Sequence, residues 1–159
     1  MFPSEVIQLN LPDADICYFP NLFSEAEANF YYDSFLKTMP WQQDDITVFG
    51  KTYAQPRLTA LFGNNNKPYS YSNITMQPHA FNSDLLTIKH RIETKTSAVF
   101  TTCLANLYRD GQDSNGWHAD NEKELGKNPV IASVTFGEAR HFHLKHRTDK
   151  TLREELLLA

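Results

Sequence analysis

The longest β-type stretch of the chain, residues 98–108, places Leu104, Asn106 and Tyr108 on one face, because successive side chains of an extended segment alternate. The strand candidates after it are residues 129–136 and 140–146, with Gly137-Glu138 turning the chain between them. Earlier come residues 46–49 and 52–54, which flank Gly50-Lys51 and read as a tight hairpin, and then 56–62. Two helices accompany these. Ser24 with Glu27 is a capping box, and its helix runs to about Thr38 before Pro40. The second starts near Asn82-Ser83 and continues through Leu85, Leu86, Ile88 and Ile92 to about Thr94. Helices early and strands late define an α+β fold, a mainly antiparallel sheet or barrel buttressed by helices.

With 159 residues the chain makes one domain, able to bury roughly two thirds of its unfolded surface. A formal net charge of −4 does not announce a nucleic-acid binder, although a local basic surface stays compatible with it. Cys17 and Cys103 lie far apart in apolar or β-like settings and read as buried, reduced thiols of a reducing compartment. There is no signal-peptide pattern at the N-terminus and no apolar run long enough to span a bilayer. The expectation is an intracellular monomer away from membranes, cytoplasmic or, in a eukaryote, nuclear.

The loop after residue 108 carries the chemistry. His118-Ala119-Asp120 places an imidazole and a carboxylate on one side of an extended segment. Such a pair grips one side of an octahedral metal, and a second histidine would complete the 2-His-1-carboxylate triad of non-haem Fe(II) oxygenases. The tripeptide alone is weak, since with 6 histidines about 0.3 such units arise by chance in a chain like this. His141, His143 and His146 resemble a metal tract, but alternation against Phe142 and Leu144 turns His141 and His143 to solvent.

A longer pattern surrounds the pair: Asn106-Leu-Tyr108-Arg-Asp-Gly111, Gly116-Trp-His118-Ala-Asp120-Asn121-Glu122, Pro129-Val-Ile-Ala-Ser133-Val-Thr-Phe-Gly137 and Ala139-Arg140-His141-Phe142. In order and spacing it resembles the AlkB family of Fe(II)- and 2-oxoglutarate-dependent dioxygenases. Upstream, Pro56-Arg57 and Tyr69-Ser70-Tyr71-Ser72 resemble that family's nucleotide-recognition lid, and the likeness runs over about residues 15–150. The resemblance implies a double-stranded β-helix (jelly-roll) core. Residues 1–95 would hold the helices and lid, and 96–159 part of the core.

It implies Fe(II), 2-oxoglutarate and O2 as cofactor and co-substrates. The reaction would be oxidative demethylation of bases such as 1-methyladenine and 3-methylcytosine in DNA or RNA. His118 and Asp120 would be the metal ligands and catalytic centre, and Asn106 and Tyr108 would hydrogen-bond 2-oxoglutarate. Arg57, Tyr69, Tyr71, Asn121 and Glu122 would face the substrate, with Tyr71 stacking on a flipped base. Val48-Phe49-Gly50 resembles the apolar finger of the duplex-acting branch, a wedge that trades unstacking energy for access to the base. Residue 121 is Asn where the repair members often carry an acid. The distal iron-binding His and the Asn-X-Thr-X-Arg-like run of the family are not in this chain, so the resemblance implies a domain whose C-terminal part lies outside it. Read without the resemblance, Asn106 and Tyr108 also suit a polar barrel interior, and Phe49 and Tyr71 suit a core. A binding relic, an oxygenase acting on another substrate class, and a cupin-like metalloprotein remain alternatives.

Overall fold

The computed structural model describes residues 6–48, 50–65, 67–71, 74–121 and 125–159, excepting the side chains of 47, 48, 69–71, 74 and 75. It divides into two compact units, residues 39–132 and the paired segments 1–38 and 133–159. The fold is mixed α and β, and all five described strand pairs are antiparallel.

In the 39–132 unit, β5 (Leu58–Gly63) pairs with β8 (Thr102–Leu107), Thr59 standing opposite Asn106 and Leu61 opposite Leu104. Ala60, Leu61 and Phe62 are at most 3% exposed, so β5 is buried on both faces and runs as a nearly continuous apolar strand. Thr59 is its one buried polar side chain, and its hydroxyl donates to Asp44 Oδ2 at 2.7 Å. The hairpin expected around Gly50 is β3 (Asp45–Val48) with β4 (Lys51–Ala54), and Gly50 takes a positive φ of 75° at its tip. A second hairpin pairs β6 (Tyr69–Tyr71) with β7 (Ile74–Met76).

Helix α2 (Ser83–Thr96) is capped by Asn82, whose side chain accepts from Leu85 N–H at 2.8 Å. It buries Leu85 and Ile88, three residues apart on one face. Ser97 closes the helix in the left-handed region at φ 55°. The chain then runs without strand pairing until Thr102, so β8 is shorter than the expected 98–108 strand. Residues 129–136, expected as a strand, are irregular. Val130 and Ile131 stay exposed, and without a ladder partner their β-branched side chains do not make a strand.

In the other unit, β1 (Ile7–Leu9) pairs with β2 (Ile16–Tyr18). The capping box that starts α1 (Glu25–Thr38) is reciprocal: Ser24 N–H donates to Glu27 Oε2 at 2.9 Å, and Glu27 N–H to Ser24 Oγ at 3.3 Å. Tyr31 packs with Phe23, Phe35 and Phe136 at ring separations of 5.7, 5.8 and 5.5 Å. Residues 153–158 fold back as β10 (Arg153–Leu158) on β9 (Arg140–Lys145). His141 and His143 lie on the exposed face of that ribbon, where both contact Glu155.

Cys17 is exposed, not buried as its apolar neighbours suggested, because β1 and β2 form a two-stranded ribbon with that face open. Cys103 is half-buried in β8, and burial pushes its thiol up to about 11. Among the described residues no helix is long and apolar enough to cross a membrane.

Candidate metal and substrate site

The β5–β8 ladder carries the first part of the site. Arg57, one residue before β5, is 5% exposed, and its Nε donates to Asn106 Oδ1 at 2.9 Å. Its Nη1 makes a longer bond, 3.4 Å, to the Ser114 carbonyl. The guanidinium therefore joins three segments: the entry to β5, the end of β8 and the loop beyond. Asn106 lies within β8, whereas Tyr108 stands one residue past its end, and both are half-buried.

The 109–121 loop is built by its own side chains. Asp110 Oδ1 accepts from Gln112 N–H at 2.8 Å and Asp113 N–H at 3.2 Å, folding the Asp-Gly-Gln-Asp stretch into a turn. That turn delivers the buried Asp113 carboxylate to Arg109, which donates from its backbone N–H, Nε and Nη2 at 2.9, 2.7 and 2.9 Å. The Asp113 hydrogen bond holds Arg109 above the usual guanidinium value. Gln43 Oε1 accepts from Arg109 Nη1 at 3.2 Å, and Ser114 N–H donates to the Pro56 carbonyl at 2.8 Å. None of Gln43, Arg109, Asp113 or Ser114 stands out in the sequence as a site residue. Only the Asp-Gly turn pattern signals that this loop is ordered.

The loop ends on the imidazole–carboxylate pair. His118 Nδ1 lies 2.8 Å from Asp120 Oδ1, and both side chains are a little over one third exposed. Asn115 Nδ2 stands 3.1 Å from His118 Nε2. With the ring proton on Nδ1, the Asn115 amide donates to Nε2 and the imidazole donates to Asp120. Asp120 sits at φ 40°, a left-handed conformation that Asp tolerates better than most residues. Among the described residues, no group of three His, Cys, Asp or Glu side chains could hold a metal, so His118 and Asp120 stand as a pair.

Asn121 follows, exposed. Glu122 and Phe49 lie outside the described residues. Val48 ends β3, and Tyr69 and Tyr71 bound β6, their side chains likewise outside the description.

A cavity of about 360 Å³ opens beside these elements, lined by Ile46, Gln55, Pro56, Arg57 and the 114–117 segment. Trp117 stands 58% exposed on its wall. The structure thus brings Arg57, Asn106 and the His118 loop into one neighbourhood of the 39–132 unit.

An imidazole and a carboxylate side by side are two of the donor types that a 2-His-1-carboxylate metal site uses. Residues 15–159 match the 2OG-Fe(II) oxygenase superfamily, and the chain belongs to it as a member of the AlkB family. It is similar to alpha-ketoglutarate-dependent dioxygenase alkB homolog 3 of Mus musculus, 42% identical over 133 residues that make up 83% of this chain and 46% of that protein. The Homo sapiens protein of the same name is 40% identical over the same length and shares. DNA oxidative demethylase ALKBH2 of Homo sapiens is 32% identical over 137 residues, 84% of this chain and 52% of that protein. The chain spans about half the length of the curated relatives it matches.

Proposed function

We propose that this chain belongs to an Fe(II)- and 2-oxoglutarate-dependent dioxygenase that demethylates alkylated bases, such as 1-methyladenine and 3-methylcytosine, in DNA or RNA. The observation that carries the reading is the 2.8 Å separation of His118 Nδ1 and Asp120 Oδ1. The loop therefore holds an imidazole nitrogen and a carboxylate oxygen side by side, as neighbouring ligands of one metal must be. An imidazole nitrogen with a carboxylate oxygen is also the donor chemistry that ferrous iron takes. His118 and Asp120 would hold the metal once the proton between them has left.

Asn106 and Tyr108 would bind 2-oxoglutarate. Arg57 occupies Asn106 Oδ1, which turns the amide so that Nδ2 keeps its donor capacity, with only a long 3.4 Å contact to the Leu104 carbonyl. Bound iron with 2-oxoglutarate and O2 would supply the oxidising equivalents that turn an N-methyl group into a hydroxymethyl group, which sheds formaldehyde. The base would enter the cavity beside Arg57, with Tyr69, Tyr71, Asn121 and Glu122 facing it and Val48 and Phe49 opening the stack. The relatives' names, which include DNA oxidative demethylase, support this substrate class. We read the antiparallel strand pairs as parts of the jelly-roll core that the family implies, and the protein as a monomer.

Anaerobic addition of Fe(II) and 2-oxoglutarate tests the metal pair. A visible charge-transfer band that His118→Ala abolishes is the expected result, and formaldehyde release from an oligonucleotide carrying 1-methyladenine tests the substrate class. A band that survives in both His118→Ala and Asp120→Ala would sink the assignment.

A further inference from the structure

The loop that ends on His118 contains the chain's one Asn-Gly dipeptide, Asn115-Gly116. Both residues are exposed, and residues 113–120 form neither helix, strand nor turn. A Cβ built on Gly116 would meet nothing within 4 Å, so the backbone that follows Asn115 stands in open space. The Gly116 N–H makes no hydrogen bond among the described residues. The Asn115 amide is tied at one point, Nδ2 lying 3.1 Å from His118 Nε2. Comparable side chains are held more firmly. Asp110 also precedes a glycine, but its Oδ1 accepts from the N–H groups of Gln112 and Asp113 at 2.8 and 3.2 Å. Asn82 Oδ1 caps α2 and Asn106 Oδ1 takes Arg57, and neither precedes a glycine.

We propose that Asn115-Gly116 is a site of covalent self-modification, deamidation through a cyclic imide, and that the modification unseats His118 from Asp120. The Gly116 nitrogen gives up its proton and attacks Asn115 Cγ, forming the new N–C bond. The Cγ–Nδ2 bond breaks, and Nδ2 leaves as ammonia with the proton from Gly116. Water then adds to one of the two imide carbonyls and reopens the ring. One water enters for one ammonia lost, and nothing is oxidised or reduced. Opening on one side leaves aspartate. Opening on the other leaves isoaspartate, whose main chain runs through the side-chain carbon and is one methylene longer. Glycine suits the attack because it has no Cβ to hinder the backbone from closing on its neighbour, and the rest is proximity. Either product replaces a donor with an acceptor: a carboxylate has no N–H to give His118 Nε2, so the ring loses that partner. Isoaspartate also lengthens the main chain just before His118, in the loop that sets its 2.8 Å approach to Asp120. The consequence for a metal rests on the reading of His118 and Asp120 above, whereas the modification itself does not.

Ageing the chain in mildly alkaline buffer, followed by peptide mass mapping, tests the site. The expected result is an amide-to-acid mass gain in the peptide that holds Asn115, with the peptides of Asn82 and Asn106 unchanged. Enzymatic methyl transfer from S-adenosylmethionine to the new carboxyl reports the isoaspartyl share. Gly116→Ala has room for its methyl group and should melt as the native chain does, with the modification slowed about tenfold or more. No mass gain at Asn115 in the native chain, or an equal gain in Gly116→Ala, overturns the inference. The isoaspartyl fraction, separated by ion exchange, should bind Mn(II) about tenfold or more weakly than the unaged chain, the loss expected when the support of a metal ligand is disturbed. Equal affinity in the two overturns the link to His118. An unaged chain that takes up no Mn(II) overturns the metal reading above and the link with it, while the mass gain still decides the modification.

Discussion

Arg57 Nε donates to Asn106 Oδ1 across 2.9 Å, tying the residue before β5 to the strand that carries the proposed 2-oxoglutarate ligand. The described partners of this buried guanidinium are neutral oxygens, so its role is directional: it decides which end of the Asn106 amide faces outward.

Arg57→Ala leaves Asn106 Oδ1 and the Ser114 carbonyl without their donor, at a cost of about 2 kcal/mol. Tm should fall by roughly 4–8 °C in a chain of this size. Freed from Arg57, the amide can flip, and 2-oxoglutarate affinity should drop about tenfold, the loss expected when one positioned hydrogen bond goes. Arg57→Lys keeps the charge but loses the fixed planar fork, and should fall between the two. Calorimetric titration with 2-oxoglutarate, beside a melting curve, checks both effects. Unchanged affinity in Arg57→Ala would show that Asn106 needs no orienting partner.

Gly137 turns at φ 92°, and a Cβ built there would lie 2.7 Å from Tyr32 Cε2 on α1. Gly137→Ala therefore meets both a backbone penalty and an aromatic ring in its path. The expected loss is about 1–3 kcal/mol, read as a lower denaturation midpoint in urea. A midpoint equal to that of the native chain would mean that Tyr32 moves aside freely.

What the sequence made legible here is what local chemistry decides. Ser24 and Glu27 cap α1 because the partners are three residues apart, and Gly50 turns its hairpin because only the tip needs a positive φ. The Asn106 and His118 loop was legible as a pattern. The contacts that shape it were not, because Arg57 and Asn106 are 49 positions apart in the sequence and Arg109 and Gln43 are 66 apart. The 129–136 segment misled for the opposite reason. Its composition favours a strand, but a strand exists only with a neighbour to pair with.

Glu93 gives a pH dependence with a definite sign. Its Oε1 accepts from Lys89 Nζ at 2.7 Å and from Phe100 N–H at 2.8 Å, fastening the last turns of α2 to the segment that leads into β8. The Lys89 hydrogen bond, followed by that of Phe100, holds the carboxyl below its ordinary 4.5. A carboxylate whose pKa is lower in the folded state stabilises the fold above the unfolded value, and that contribution is lost as the pH falls through the lowered one. Glu93→Gln keeps an acceptor for Phe100 but has no charge to titrate. The Tm gap between native chain and variant should therefore be steady near neutrality and close as the pH drops below 4.5. A gap that widens in acid would contradict the assignment.

Asp113 is the remaining test of how the loop holds the proposed metal ligands His118 and Asp120. The carboxylate is 6% exposed and takes three N–H bonds from Arg109, whereas the Arg109 side chain is 46% exposed, so solvent screens part of the attraction. Asp113→Asn removes the charge and one of the two accepting oxygens, and should cost about 1–2 kcal/mol, seen as a Tm lower by roughly 2–8 °C. The larger effect should appear at a distance. His118 lies five residues along the same loop, and its approach to Asp120 depends on a backbone that the Asp113 fork and the Ser114 bond to Pro56 keep in place. Titration with Mn(II), a redox-quiet stand-in for Fe(II), should show affinity weakened by about 10–100-fold, the range expected when a group supporting metal ligands is lost. Arg109→Lys, which keeps the charge without the bidentate fork, should weaken binding in the same direction. If Asp113→Asn lowers Tm while Mn(II) affinity is untouched, the Asp113 fork stabilises the fold without positioning the metal pair.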